Sequence, residues 1–195
     1  MTVNFTTSDF APVALGFFGL GTGYLIWGPQ ELFKWPARDT SVDKATGVWG
    51  IFLPGLCQLV TGLILFVGLT WFQVFKDPVL YMAALAFSAY GIHWFALGWN
   101  RFSHHDFRPN GGMSVAYTII SVLGVVVFFA AGAWPVGILF VGLTGVYVSD
   151  FFVAVGVEVG ERALGLFHVA TGFWLMYLTF GTVLNITLGY QLPGG

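Results

Sequence analysis

The sequence is poor in charge. Seven Lys and Arg and nine Asp and Glu make up 8% of 195 residues, against about a quarter in an ordinary soluble domain. So few charges cannot keep a chain that is 57% hydrophobic, with a mean hydropathy of +0.82, dispersed in water. Lipid must therefore solvate most of its surface, and intrinsic disorder is excluded by the same richness in apolar residues. Cysteine is nearly absent: Cys57 has no second thiol in the chain, so there is no disulfide framework. A formal charge of -2 leaves no basic patch for nucleic acid. No Gly-x4-Gly-Lys-Ser/Thr loop is present to hold a nucleotide, which removes ATP-driven chemistry. The stretch Met1–Asp9 carries no Lys or Arg and no cleavage site follows it, so a removable signal peptide is not expected.

What the sequence does contain is apolar runs of membrane-spanning length, about 20 residues each. The pattern predicts an all-α, polytopic membrane protein with a single domain over 1–195 and six transmembrane helices, near residues 11–28, 47–69, 78–98, 113–133, 135–157 and 162–188. Pro29 and Pro36 bracket the first connection, Asp77-Pro78 opens the third span, Pro109-Asn110-Gly111-Gly112 precedes the fourth, and Ala133-Trp134-Pro135 joins the fourth to the fifth. Lys34, Arg38, Lys44, Arg101, Arg108 and Arg162 fall on one side of this topology and Lys76 on the other. That asymmetry predicts cytoplasmic odd-numbered loops and both termini outside.

Gly16, Gly19 and Gly23 form a bare stripe on span one, and Gly55 and Gly62 lie a heptad apart on span two. Such residues let helix backbones approach closely in lipid, and near a pathway axis they would leave room for a small solute. Trp27, Trp35, Trp71, Trp99 and Trp134 fall near span ends, where interfacial aromatics belong. Tyr24, Trp27 and Glu31 share one helical face of span one, with Glu31 read as an interfacial charge.

Ionisable residues within spans are costly and so are functional candidates. His93 on span three, Asp150 on span five and His168 on span six all fall roughly 9 to 11 Å from the same membrane face at 1.5 Å per residue. They can meet there as a proton or gating site, or as a structural Asp–His bond. Two histidines and a carboxylate, with His104, His105 and Asp106 in the next loop, also raise the alternative of a membrane metalloenzyme. No His-x3-His or His-x2-His accompanies them, so neither a metal nor another cofactor is expected and the chain is not read as an enzyme. Gln58 and Asn185 are neutral polar residues that either line a pathway or bond neighbouring helices.

Four blocks of the chain resemble the acetate uptake transporter family. They are Ala11-Pro12-Val13-Ala14-Leu15-Gly16, with Asp9 and Phe10 in place of that motif's Asn and first Pro; Gly50 to Gln58 continuing to Gly62; Phe87-x-x-Tyr90-Gly91-x-x-Trp94; and Gly172 to Asn185. The resemblance implies a six-helix protomer, assembled as a homohexameric ring in the cell membrane, that passes acetate and similar short monocarboxylates. By motif position it implies a constriction formed by Phe18, Tyr90 and Leu143. Leu65 and Thr182 stand where that family often has glutamates. The loop Asn100 to Pro109 is instead similar to that of the acid-gated urea and short-amide channels, whose glutamate on span six is replaced here near Thr171 and Gly172. A urea or amide channel is the alternative, and a structural subunit of a larger membrane complex is a further one.

Overall fold

The structure, a computed structural model, describes residues 11–194. Residues 1–10 and 195 lie outside the described residues, and with them Asp9, Phe10 and the Met1–Asp9 stretch. The described residues form seven α-helices and no strand: α1 (Val13–Phe33), α2 (Thr40–Gly50), α3 (Cys57–Thr70), α4 (Val79–Ser103), α5 (Asn110–Ala130), α6 (Trp134–Ala154) and α7 (Glu158–Leu188). A π-helical turn, Ile51–Leu56, joins α2 to α3, so that Thr40–Thr70 is one 31-residue rod and the fold has six spans. The π-turn contains Pro54, and such a turn re-satisfies the backbone that a proline interrupts.

Five of the spans are long and apolar enough to cross a membrane. The sixth, α1, has the length, at about 32 Å for 21 residues, but its five glycines, Gln30 and Glu31 dilute its hydropathy. It can be less apolar because it lies between α3 and α7 and buries half of its residues in protein. The molecule is an integral membrane protein.

The spans pack in chain order, α1 on α2–α3, α3 on α4, α4 on α5, α5 on α6 and α6 on α7, and α7 packs back on α1. The result is a closed ring around a central axis. The α7–α1 seam is lined by glycines from both sides. A Cβ on Gly21 would lie 3.3 Å from the Gly172 carbonyl oxygen, and one on Gly165 would lie 2.5 Å from the Leu32 nitrogen. The predicted stripe has the same use, since Gly19 and Gly23 receive the π-turn at Leu53, Pro54 and Cys57. At the α3–α4 contact, a Cβ on Gly91 would lie 2.5 Å from the Leu59 nitrogen and 2.9 Å from the Gly55 oxygen. These are backbone atoms that cannot turn aside. Gly91→Val is expected to cost about 1–3 kcal/mol as the two helices are pushed apart; an unchanged thermal unfolding midpoint in detergent would contradict this contact.

Five helices run further than the sequence pattern suggests, all at the same face of the membrane: α5 starts at Asn110 rather than 113, α7 at Glu158 rather than 162, and spans one to three extend the most. Span one continues through Pro29 to Phe33 rather than stopping at 28, because a proline inside a packed membrane helix is tolerated. Span two starts at Thr40 rather than 47, capped by Asp39, whose side chain accepts from the Val42 N–H at 2.8 Å. Span three ends at Ser103 rather than 98, where His104 takes a left-handed conformation. Each extension carries charged or polar residues into the bundle. Glu31 is therefore buried rather than interfacial, and Trp27, also buried, does not serve as an interfacial anchor. Trp35, Trp71, Trp99 and Trp134 do lie exposed at helix ends.

Candidate transport pathway

Two cavities lie on the ring axis. The larger, about 420 Å³, is a vestibule reaching the face where the helices are extended. The smaller, about 170 Å³, lies toward the opposite face and is lined almost entirely by apolar side chains. The lining switches from one cavity to the other within about one helical turn on three helices: Leu20 to Tyr24 on α1, Tyr90 to His93 on α4, and Leu143 to Val146 on α6. On α7 it passes from Leu175 to His168. A layer one to two turns thick, about 5–10 Å, therefore separates the cavities. Leu20, Tyr24, Tyr90, Leu143, Tyr147 and Leu175 fill it and are all buried.

Of the expected constriction, Tyr90 and Leu143 line the outer cavity. Phe18 does not; it is 45% exposed on the outer surface of α1. The aromatic facing the cavity is Phe17, buried against Phe87 with ring centroids 5.5 Å apart. The sequence holds the signal for this register. The face defined by Tyr24, Trp27 and Glu31 runs back at helical spacing through Leu20 to Phe17. Tyr90 presents its ring rather than its hydroxyl. Ser121 gives its single proton to the Tyr117 carbonyl at 2.7 Å, so the 2.9 Å contact requires the Tyr90 hydroxyl to donate to Ser121. The Tyr90 ring stacks on Tyr147, at 5.5 Å and 23°, which in turn lines the vestibule. Tyr147 and Tyr117, stacked at 5.2 Å, were not singled out by the sequence.

His93, Asp150 and His168 all line the vestibule, but each is engaged with a different partner. The His93 Nδ1 lies 3.4 Å from the Tyr147 hydroxyl. Asp150 Oδ2 lies 2.5 Å from Ser114 Oγ, which is also 2.8 Å from the Asn110 carbonyl. Ser114 has one proton for two acceptors, so this pocket accommodates Asp150 either as a carboxylate or as a protonated donor. His168 Nδ1 pairs with Glu31 Oε2 at 2.6 Å, across the α7–α1 seam. Among the described residues, no three His, Cys, Asp or Glu side chains converge as metal ligands. In the loop, Asp106 is bound by the side chain and the backbone N–H of Arg108, which together hold its carboxyl down at about 2.

At the mouth of the vestibule lies a cluster that the sequence reading did not anticipate. Asp43 accepts from Arg38 at 2.9 and 3.0 Å and from Arg101 at 3.2 Å. Arg101 also donates to Gln30 and stands 4.3 Å over the Trp27 ring. The Trp27 indole donates to the Thr46 carbonyl at 3.2 Å. These contacts join α1, α2 and α4. Asn185 lines neither cavity. Its amide exchanges two hydrogen bonds with the Leu192 backbone, at 2.8 and 2.9 Å, and pins the C-terminal tail. Gln58 lines the outer cavity.

No family model and no curated protein matches the sequence. Among solved structures, that of the bacterial acetate channel SatP matches with a TM-score of 0.71 at 21% identity, covering 97% of this chain and 100% of that one. The chain therefore has the six-span, all-α fold of the bacterial acetate channel SatP over nearly its whole length.

Proposed function

We propose that the protein is a channel or secondary transporter for acetate and similar short monocarboxylates, and not an enzyme. The observation that carries this reading is the pair of cavities aligned on the axis of a closed six-span ring, parted by a single buried layer. A small solute can be passed between them if that layer yields by side-chain rotation. The fold shared with an acetate channel and the sequence blocks described above favour a monocarboxylate as that solute. Asp150 and the Glu31–His168 pair are the groups placed to hold a proton beside the vestibule. Six of the seven Lys and Arg flank the vestibule side, so we assign that side to the cytoplasm of a plasma membrane. We retain assembly as a homo-oligomeric, hexameric ring as part of the proposal; native mass spectrometry in detergent tests it.

The uncharged outer cavity equally suits a urea or short-amide solute, which is the second reading. Purified protein in liposomes, assayed for labelled acetate, propionate, acetamide and urea at two pH values, separates the two. Acetate and propionate flux above that of empty liposomes is expected. Flux of urea and acetamide alone would favour the second reading, and no flux of any of the four would end both.

A further inference from the structure

At the face opposite the vestibule the chain does not lead away from the bundle after α7. Gly189 takes a left-handed conformation, with φ of 71°, and caps the helix. The chain then runs back along α7. A Cβ on Gly194 would lie 2.8 Å from Leu178 Cδ2 and 2.6 Å from Pro135 Cβ. Leu178 lies ten residues before the last residue of α7, Leu188, which is a return of about 15 Å at 1.5 Å per residue. Residues 189–194 therefore form an extended strap whose far end rests on the start of α6.

That end lies on the outer cavity. The rim of this cavity is set by the chain entering α1, α4 and α6, at Val13, Val79 and Ala133, and Gly194 lines the cavity with them. Among the described residues lining the cavity, Gly194 is the one that belongs neither to a span nor to a helix cap. Its attachment differs from that of the other walls. Leu139 and Phe140 are buried side chains of a packed helix, whereas none of residues 189–194 is buried, and Tyr190, Gln191 and Pro193 are exposed. Three side-chain hydrogen bonds hold the strap. The Asn185 amide clasps the Leu192 backbone at 2.8 and 2.9 Å, and the Tyr177 hydroxyl donates to the Pro193 carbonyl at 3.1 Å. A segment with little buried apolar surface and hydrogen bonds close to solvent opens locally while the rest of the fold stays intact.

We propose that residues 189–194 are a lid on the outer cavity, clasped shut by Asn185 and Tyr177, and that release of the clasp swings Gly194 off Pro135 and opens the cavity to the outer medium. This rests on the transport reading above and adds a gate to it. The lid and the buried layer around Leu143 are two barriers in series, one on each side of the outer cavity. Asn185 is a positioning residue here, since it touches the lid and not the solute.

The test uses the full chain with Cys57→Ser, which removes its one native thiol. Pro135→Cys with Gly194→Cys places two Cβ atoms 2.6 Å apart on the present backbone, a small shift from the roughly 3.8 Å of a disulfide. In liposomes, oxidation of this pair is expected to lower labelled acetate flux at least tenfold, and a reductant to restore it. A second measurement does not depend on flux. Ala83→Cys puts a thiol in the outer cavity, where its reaction with a small methanethiosulfonate reagent is timed in lipid nanodiscs. Adding Asn185→Leu removes two hydrogen bonds, together worth about a factor of ten, and is expected to speed that reaction about tenfold at an unchanged thermal midpoint. Equal flux before and after oxidation would show that the strap is a fixed wall and overturn the proposal while leaving the transport reading intact. Failure of the cysteine pair to cross-link, or an unaltered reaction rate with Asn185→Leu, would also overturn it. Faster reaction with Asn185→Leu in a protein that carries no acetate would support the lid and count against the monocarboxylate reading alone.

Discussion

Replacing Asp43 with alanine is expected to lower the stability of the protein by about 3–5 kcal/mol, the usual cost of leaving a buried charge without its partner. The stranded group is Arg101, whose side chain is only 7% exposed and for which Asp43 is the one acid within salt-bridge distance among the described residues. Gln30 and the Trp27 ring remain as neighbours, but neither supplies the missing charge. The second guanidinium on Asp43 behaves differently. Arg38 is half exposed, so Arg38→Ala should cost no more than about 1 kcal/mol. Adding Arg101→Met to Asp43→Ala removes the orphaned charge and keeps the volume, and much of the lost stability should return. Denaturation of the four proteins in detergent measures all of this. A loss below about 1 kcal/mol for Asp43→Ala would mean that Arg101 reaches water when its partner is gone.

The largest functional effect should come from the layer between the cavities. Leu143 is 1% exposed at the inner end of the outer cavity, one turn from Val146 in the vestibule. Leu143→Trp should fill the small cavity and bring solute flux in liposomes down roughly tenfold or more, to the level of empty vesicles. Leu143→Ala should widen the layer and raise flux, at a stability cost of about 2–5 kcal/mol for the space left behind. Phe18→Trp is the control, since that side chain lies on the outer surface, and its flux should match wild type. Flux through Leu143→Trp equal to wild type would take the solute's path away from this axis.

Much of the architecture was legible because lipid imposes a simple rule on length and polarity. The six spans follow from apolar runs that proline, glycine and charge interrupt. The vestibule was hidden by the same rule. Reading charge and proline as ends of spans closed span one before Gln30 and Glu31, opened span two after Asp43 and closed span three before Arg101. Each of those boundaries removed one member of a set that the fold assembles at 2.6 to 3.2 Å, as in the Glu31–His168 and Asp43–Arg101 pairs. Charges that are paired with one another do not obey a rule written for isolated charges in hydrocarbon. The register of α1 was a separate matter. Phe17 and Phe18 are adjacent and chemically identical, and motif position chose Phe18, whereas the helical face through Leu20 and Tyr24 selects Phe17. Gln58 could be marked as polar within a span, but that its amide has no partner among the described residues is a property of the packed neighbours.

The glycine-lined seam between α7 and α1 bears on how the molecule is made. Every other neighbouring pair in the ring is joined by a short connection and can dock soon after it emerges from the ribosome. The seam joins the first helix to the last, with Glu31 and His168 separated by 137 positions. Its closure carries the greatest loop entropy and must await synthesis of α7. Until then the first helix, which unlike the other five spans has, among the described residues, no stretch long and apolar enough to cross a membrane by composition, faces lipid on the side that α7 will cover, which makes the unfinished chain the state most exposed to misassembly.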